Sequence, residues 1–226
     1  KAVIIDNDGQ EKETAVRRPG ADEVARFSAD DIRSIVLESG IVGMGGASFP
    51  AHIKLQSPKP LDTLIVNGAE CEPYLSADNS LMLTHAREIL RGIELIRRCT
   101  KVTQVFIAIE DNKPEALRML RSLCRAEGYH VKALPSDYPQ GGEKQLIKSV
   151  LKREVPSGKL PFDVGVLVHN VATVYAIYEA VYLAKPLFER IVTVAGDCVA
   201  QPQNCLIRVG TPIKDIFDFC GGLHKK

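Results

Sequence analysis

The sequence predicts an α/β fold, a mostly parallel sheet with flanking helices, and three observations carry that expectation. Short runs rich in Val, Ile and Phe recur along the chain. Amphipathic helical patterns separate them, and these are long enough to serve as the crossovers that parallel strands require. Residues able to do chemistry follow several of the strand runs directly, where open parallel sheets bind their ligands.

Lys1 to Asp6 holds a short apolar stretch and the polar run to Arg18 follows it, which reads as the last strand of a preceding domain entering a linker. The globular body is expected to begin near Ser28. There Ser28-Ala29-Asp30-Asp31 fits a helix start, because the Ser28 hydroxyl can accept from exposed N–H groups, and Ile32, Ile35 and Val36 then share a face. Gly40 suits the left-handed end of that helix. Strands are predicted at Thr63 to Val66, Gln104 to Ile109, His130 to Leu134, Asp163 to Val168 and Arg190 to Val194.

Between these runs, Met82, Ala86, Ile89, Ile93 and Ile96 keep the four-three spacing of one helix. Pro114 to Glu127 predicts another, with Leu117, Leu120 and Cys124 on one side and Gly128 as the stop. Leu146, Ile147, Val150 and Leu151 mark a third. Val171, Val174, Tyr175, Tyr178, Val181 and Tyr182 mark a fourth, whose tyrosines read as packing. From about Ala195 the pattern changes to a short strand-like run, Leu206 to Val209, and a helix opening at Thr211-Pro212.

The 226 residues balance 29 Lys and Arg against 28 Asp and Glu, a formal net charge of +1, which disfavours nucleic-acid binding by bulk charge. The apolar stretch Val164 to Ala184 has the length of a membrane span but contains His169, Asn170 and Glu179, so it reads as strand, turn and helix, with no direct membrane span. No signal-type sequence follows Lys1, and the chain reads as a piece of something longer. Its six cysteines lack the close spacing of a zinc or iron–sulfur run and are expected to be reduced, mostly buried thiols.

Four segments can carry chemistry. In Ile41 to Pro50, Gly43, Gly45 and Gly46 let backbone N–H groups turn toward a phosphate, with Phe49 beside them and Lys54 as a point charge; a tight glycine-rich turn is the plainer alternative. Asn67 to Tyr74 places Glu70 and Glu72 at a strand's carboxyl end, where they can accept from ribose or ribityl hydroxyls, act as acid and base, ligate a metal (disfavoured, with no His nearby in sequence) or lie in a solvated loop. In Tyr138 to Lys144, Gly141 and Gly142 open a helix whose free N–H groups suit an anion, and Glu143 serves either the helix dipole or a ligand. After the fourth strand run, Asn170 reads as a helix cap and His169 as a hydrogen-bonded structural residue.

Gly43-Met44-Gly45-Gly46-Ala47-Ser48-Phe49-Pro50 with Lys54, Asn67-Gly68-Ala69-Glu70-Cys71-Glu72-Pro73-Tyr74, and Tyr138-Pro139-Gln140-Gly141-Gly142-Glu143-Lys144 together resemble the C component of the Rnf electron-transport complex. The resemblance extends over nearly the whole chain, through Val155-Pro156-Ser157-Gly158 and Gly210-Thr211-Pro212. That family is related to the flavin-bearing subunit of respiratory complex I. The resemblance implies a Rossmann-like domain over residues 28–194 that binds FMN and NAD(H), a remnant and linker over 1–27, and the start of a β-grasp-like domain over 195–226. It implies that Gly43, Gly45, Gly46, Lys54, Asn67, Glu70, Glu143 and Asn170 line the FMN site, and that Phe49, Glu72 and Glu143 face the nicotinamide nucleotide. Tyr138, Gly141 and Gly142 join the cofactor-binding set.

The implied activity is that of an NAD-linked flavin oxidoreductase subunit, hydride passing between flavin N5 and nicotinamide C4, with no side chain acting as acid or base. Partners would be the other subunits of the Rnf complex, on the cytoplasmic side of the inner membrane, with two 4Fe-4S clusters only in a C-terminal region beyond this chain. The complex I relative has an Arg at Met44 and an acidic residue at Ala69, which leaves two alternatives: a cofactor-free scaffold of the same fold, or the flavin domain of a cobalamin- or proline-reductase-linked carrier.

Overall fold

A computed structural model describes residue 10 and residues 16–224. The expected strand at Lys1 to Asp6 lies outside the described residues. The first helix, α1 (Ala21–Arg26), precedes Ser28 and was not foreseen. Its Val24 is fully buried in the main core, and Arg98 donates to the carbonyls of Val24 at 2.9 Å and Ala25 at 3.1 Å and to that of Phe27. A distant guanidinium thus satisfies the helix-end carbonyls that so short a helix leaves open.

α2 (Ala29–Glu38) begins as expected, with Asp31 N–H donating to Ser28 Oγ at 3.1 Å and Ser28 N–H to Asp31 Oδ2 at 2.8 Å, a reciprocal cap. Gly40 follows at φ +66°. After the short α3 (Ala51–Lys54) come β1 (Thr63–Gly68), α4 (Ala77–Thr84), α5 (Ala86–Thr100), β2 (Gln104–Glu110), α6 (Pro114–Glu127) and β3 (His130–Leu134). Met82 to Ile96 is therefore two helices and not one. The backbone bends at His85 (φ −130°, ψ 33°), where its ring lies 4.7 Å from that of Tyr175. Apolar spacing continues across the bend, so periodicity alone does not register it.

α7 (Glu143–Leu151), β4 (Val166–Asn170) and α8 (Val171–Leu183) complete the body. β4 lies later than Asp163 to Val168. Pro161–Val164 forms a single 3-10 turn closed by Gly165 at φ +76°, and Asp163 is held there by Leu160 N–H (2.9 Å) and Lys59 Nζ (2.5 Å).

β1 to β4 form one parallel sheet in the order β3-β2-β1-β4. The chain moves outward from β1 to β2 and β3, then crosses back to β4 on the other side of β1. That reversal makes the carboxyl ends of β1 and β4 the switch point where such sheets open a crevice. Asn67 pairs in register with Asn170 at that edge.

The predicted strand Arg190 to Val194 is not part of this sheet. It is β5 (Glu189–Val194), paired antiparallel with β6 (Gln203–Arg208) and backed by α9 (Ile213–Phe219). Its short β-branched run fits either kind of pairing, and the near partner β6 wins over a crossover. Among the described residues no helix is long and apolar enough to cross a membrane. The six cysteines are free thiols, with Cys99, Cys124, Cys205 and Cys220 buried and Cys71 and Cys198 partly so.

The main core lies between the sheet and α5 and α8, which pack in close contact at Gly92. A Cβ there would lie 2.3 Å from Val174 O, so the two backbones touch where no side chain intervenes. Gly92→Ala forces the helices apart, and we expect a loss of about 2–3 kcal/mol in urea unfolding. A loss below about 0.5 kcal/mol would contradict so close a crossing.

Candidate functional site

The glycine-rich loop runs from α2 to α3 and is pinned at both ends. Val42 bridges Pro50, Gly43 N–H donates to Phe49 O at 2.8 Å, and Ala51 N–H donates to Ile41 O at 2.9 Å. Its middle is docked on the first turn of α8 by Met44 N–H donating to Thr173 Oγ1 at 2.9 Å. Gly46 holds φ +117°, a conformation that side-chain-bearing residues avoid.

At the end of β1, Asn67 Nδ2 donates to Gly141 O (3.0 Å) and its Oδ1 accepts from Ala69 N–H (3.1 Å), which draws the Tyr138–Lys144 segment onto the strand end. A Cβ on Gly141 would meet Ala69 O at 3.1 Å and Cys71 Sγ at 3.3 Å, so the approach depends on glycine. Gly142 is the N-cap of α7 and makes no side-chain cap, so amide groups of the first turn face outward beside Glu143. Lys54 Nζ spans the gap, donating to Glu143 Oε1 at 2.9 Å and to Val168 O at 3.1 Å.

These elements enclose a cavity of about 600 Å³, within the range of small-ligand sites. Of the residues expected to bind cofactor, Gly43, Gly45, Phe49, Lys54, Asn67, Gly141, Gly142, Glu143 and Asn170 line it. Gly46 stays in the loop but off the wall. Apolar residues that the sequence reading did not single out, Ile53, Leu160, Pro161 and Phe162, extend the cavity on its other side. They come from α3 and the 3-10 turn, far apart in sequence and without a motif to mark them.

Glu70, Glu72 and Tyr138 are not on the cavity wall. Glu70 has a different occupation: Oε1 accepts from Asp78 N–H at 2.8 Å and Oε2 from Asn79 N–H at 2.9 Å. It caps α4, where Ser76 occupies the N-cap position without capping. Glu72 and Tyr138 are exposed on the loops at the sheet edge. Asn170 is the cap of α8, as its position predicted, with Oδ1 accepting from Ala172 N–H at 2.9 Å, and its Nδ2 donates to Asp78 Oδ2 at 2.6 Å.

Asp78 is the titratable group that sequence reasoning missed. Burial, reinforced by the nearby negative charge of Glu70, pushes its carboxyl from 3.8 up to about 7, against the Asn170 hydrogen bond and Arg190, which favour ionisation. His169 is buried, its Nε2 has no partner, and burial drives it down to about 3, so it is a neutral imidazole at physiological pH. The sequence predicts a hydrogen-bonded structural residue at His169; its Nε2 makes no such bond, and the residue lines the cavity.

Residues 36–179 match the family described as the Nuo51 FMN-binding domain, and residues 191–226 match the SLBB domain. The chain belongs to the Nuo51 FMN-binding domain family. It is 43% identical to the C component of the proton-translocating ferredoxin:NAD(+) oxidoreductase complex of Clostridium ljungdahlii, over 100% of this chain and 50% of that one. It is 42% identical to the Na(+)-translocating counterpart of Acetobacterium woodii, over 100% of this chain and 51% of that one. Identity to the C component of the ion-translocating oxidoreductase complex of Rhodobacter capsulatus is 46%, over 87% of this chain and 39% of that one.

The chain thus spans about half or less of these relatives' length. They carry the name of the component to which the three motifs pointed. Among solved structures, NAD+-reducing [NiFe]-hydrogenase in the H2-reduced state shares the fold, with a TM-score of 0.76 at 21% identity over 88% of this chain and 40% of that one.

The raised Asp78 pKa has a definite sign for stability. The folded state keeps a proton that the unfolded state releases above about pH 4, so the group's contribution is full below that pH and is lost as pH rises through about 7. Asp78→Asn keeps an acceptor for Asn170 and removes the charge. We expect it to lose less stability than the parent between pH 5 and 8, by about 2 kcal/mol in urea unfolding, and parallel pH profiles would refute the assignment.

Proposed function

We propose that this chain is the FMN- and NAD(H)-binding part of the C component of an ion-translocating ferredoxin:NAD oxidoreductase complex. In this reading it is peripheral on the cytoplasmic side of the inner membrane and exchanges electrons with the other subunits. The observation that carries the reading is the convergence of the glycine-rich loop, the end of β1 and the start of α7 on one cavity, in a chain of the Nuo51 FMN-binding family.

The cavity suits a flavin nucleotide by its construction. Gly43, Gly45, Gly141 and Gly142 present bare backbone to it, so a planar group or a phosphate can approach without meeting a Cβ. Lys54 and the uncapped amides at the start of α7 favour a phosphate oxygen, and the carboxylate of Glu143 can accept from hydroxyls. Bound flavin would supply the redox chemistry, exchanging hydride with the nicotinamide. The protein's part is to hold, orient and exclude water: Asn67 and Asn170 fix the floor at the strand ends, and the apolar wall from Ile53 to Phe162 shelters the cavity. Among the described residues no group of three His, Cys, Asp or Glu is placed to hold a metal ion.

The test is titration of the protein with FMN and then NADH, following the visible flavin spectrum. We expect saturable FMN binding and bleaching on NADH addition. Glu143→Ala and Lys54→Ala should each weaken FMN retention by about tenfold or more, the loss of one charge-assisted hydrogen bond. A folded chain that binds no FMN would move the reading to a cofactor-free scaffold.

A further inference from the structure

Ser76 occupies the N-cap position of α4, yet its hydroxyl does not cap the helix, because Glu70 has already taken the amides of Asp78 and Asn79. Its side chain and backbone turn instead to the β5–β6 hairpin. Ser76 N–H donates to Thr193 Oγ1 at 3.1 Å, and Ser76 Oγ donates to Asn204 Oδ1 at 3.2 Å. Asn204 Nδ2 donates back to Ser76 O at 3.2 Å and to Ser76 Oγ at 3.1 Å, while Thr193 Oγ1 donates to Asn204 Oδ1 at 2.8 Å. Thr193 and Asn204 are direct cross-strand partners, so one face of the hairpin presents both groups side by side. Ile191 on that face packs against the main core. From the same hairpin, Arg190 Nη2 donates to Met44 O in the glycine-rich loop at 3.4 Å.

The segment from Ala69 to Ser76 is thereby held at its two ends. Glu70 anchors it to α4 of the body, and Ser76 anchors it to the hairpin, which lies in the SLBB-matching part of the chain at residues 191–226. Between those anchors it is exposed from Glu72 to Leu75, where a turn bond runs from Leu75 N–H to Glu72 O at 3.3 Å.

We infer that Asn204 and Thr193 are positioning residues for the Glu70–Ser76 loop, and that the β5–β6 hairpin is therefore part of the nucleotide site although none of its residues lines the cavity. The inference rests on the FMN and NAD(H) reading for the ligand but not for the latch itself. Movement of the hairpin loosens this loop, whose Ala69 and Cys71 pack against Gly141 on the cavity wall, and nucleotide binding at that wall tightens the hairpin by the same factor. Asn67 Nδ2 donating to Gly141 O and Asn170 Oδ1 accepting from Ala172 N–H hold the floor of the cavity without Thr193 or Asn204.

The experiment compares Asn204→Ala, Thr193→Val and the hydroxyl-retaining Thr193→Ser with the parent chain in two arms. The first is amide hydrogen exchange over residues 72–80 with no ligand present. Both disruptive variants should exchange the Ser76 amide about five- to tenfold faster, and Thr193→Ser should restore the parent rate. The second is NADH affinity of the FMN-loaded protein, expected to fall by a similar factor while FMN affinity stays within about twofold. Thr193→Val is nearly isosteric and reports the latch even if Asn204→Ala unfolds the hairpin. Unchanged exchange over 72–80 overturns the latch. Faster exchange with unchanged NADH affinity overturns its coupling to the site. If the parent binds no FMN, the proposed function fails, and the exchange arm still decides the latch.

Discussion

Parallel pairing of β1 with β4 sets Asn67 opposite Asn170 at the carboxyl edge of the sheet, and the candidate site is assembled around that pair. From Asn67 the chain must turn into the Glu70 loop, and the side chain of Asn67 draws in the Gly141 segment. From Asn170 the chain enters α8, whose Thr173 anchors the glycine-rich loop through Met44 N–H. Lys54 then reaches across to the carbonyl of Val168 on β4 and to Glu143 on α7. A register slip of one residue between β1 and β4 would turn Asn67 and Asn170 to opposite faces and separate all of these contacts.

The polar groups near that edge are satisfied by partners remote in sequence. Glu70 caps α4 in place of the local Ser76, Asp78 takes the amide of Asn170, and Arg98 closes α1. Each is a buried or half-buried group whose partner must be supplied by the fold, because leaving it unpaired costs about 1–3 kcal/mol. Among the described residues, Arg97 Nε, Glu110 Oε2, Gln140 Nε2 and His169 Nε2 are buried without a hydrogen-bond partner.

Elements with their own punctuation were legible. α6 runs between Pro114 and Gly128 as read, α2 starts on the Ser28–Asp31 cap, and β3 coincides with its predicted run. Three of the four chemistry-bearing segments were found on strand ends because the topology of parallel sheets puts them there, and nine of the predicted cofactor residues line the cavity. The misreadings share a cause. The bend at His85, the displacement of β4 past Gly165, the switch of β5 to an antiparallel partner and the core role of α1 all depend on what an element packs against, and local pattern does not contain that information.

By itself the sequence determined the class of fold, the helix and strand types, the glycine-rich loop and the motifs that tie the chain to its family, since these rest on periodicity, capping and residue spacing. The tertiary structure alone decided which carboxylates face the cavity and which are spent on helix ends. Glu143 and Glu70 look alike as acids after strands. Glu143 begins α7 at the cavity wall with Lys54 opposite, whereas the two oxygens of Glu70 are consumed by the first amides of α4. A carboxylate's role follows from which unsatisfied donor the fold brings to it, and that is a property of packing, not of the side chain's place in the sequence.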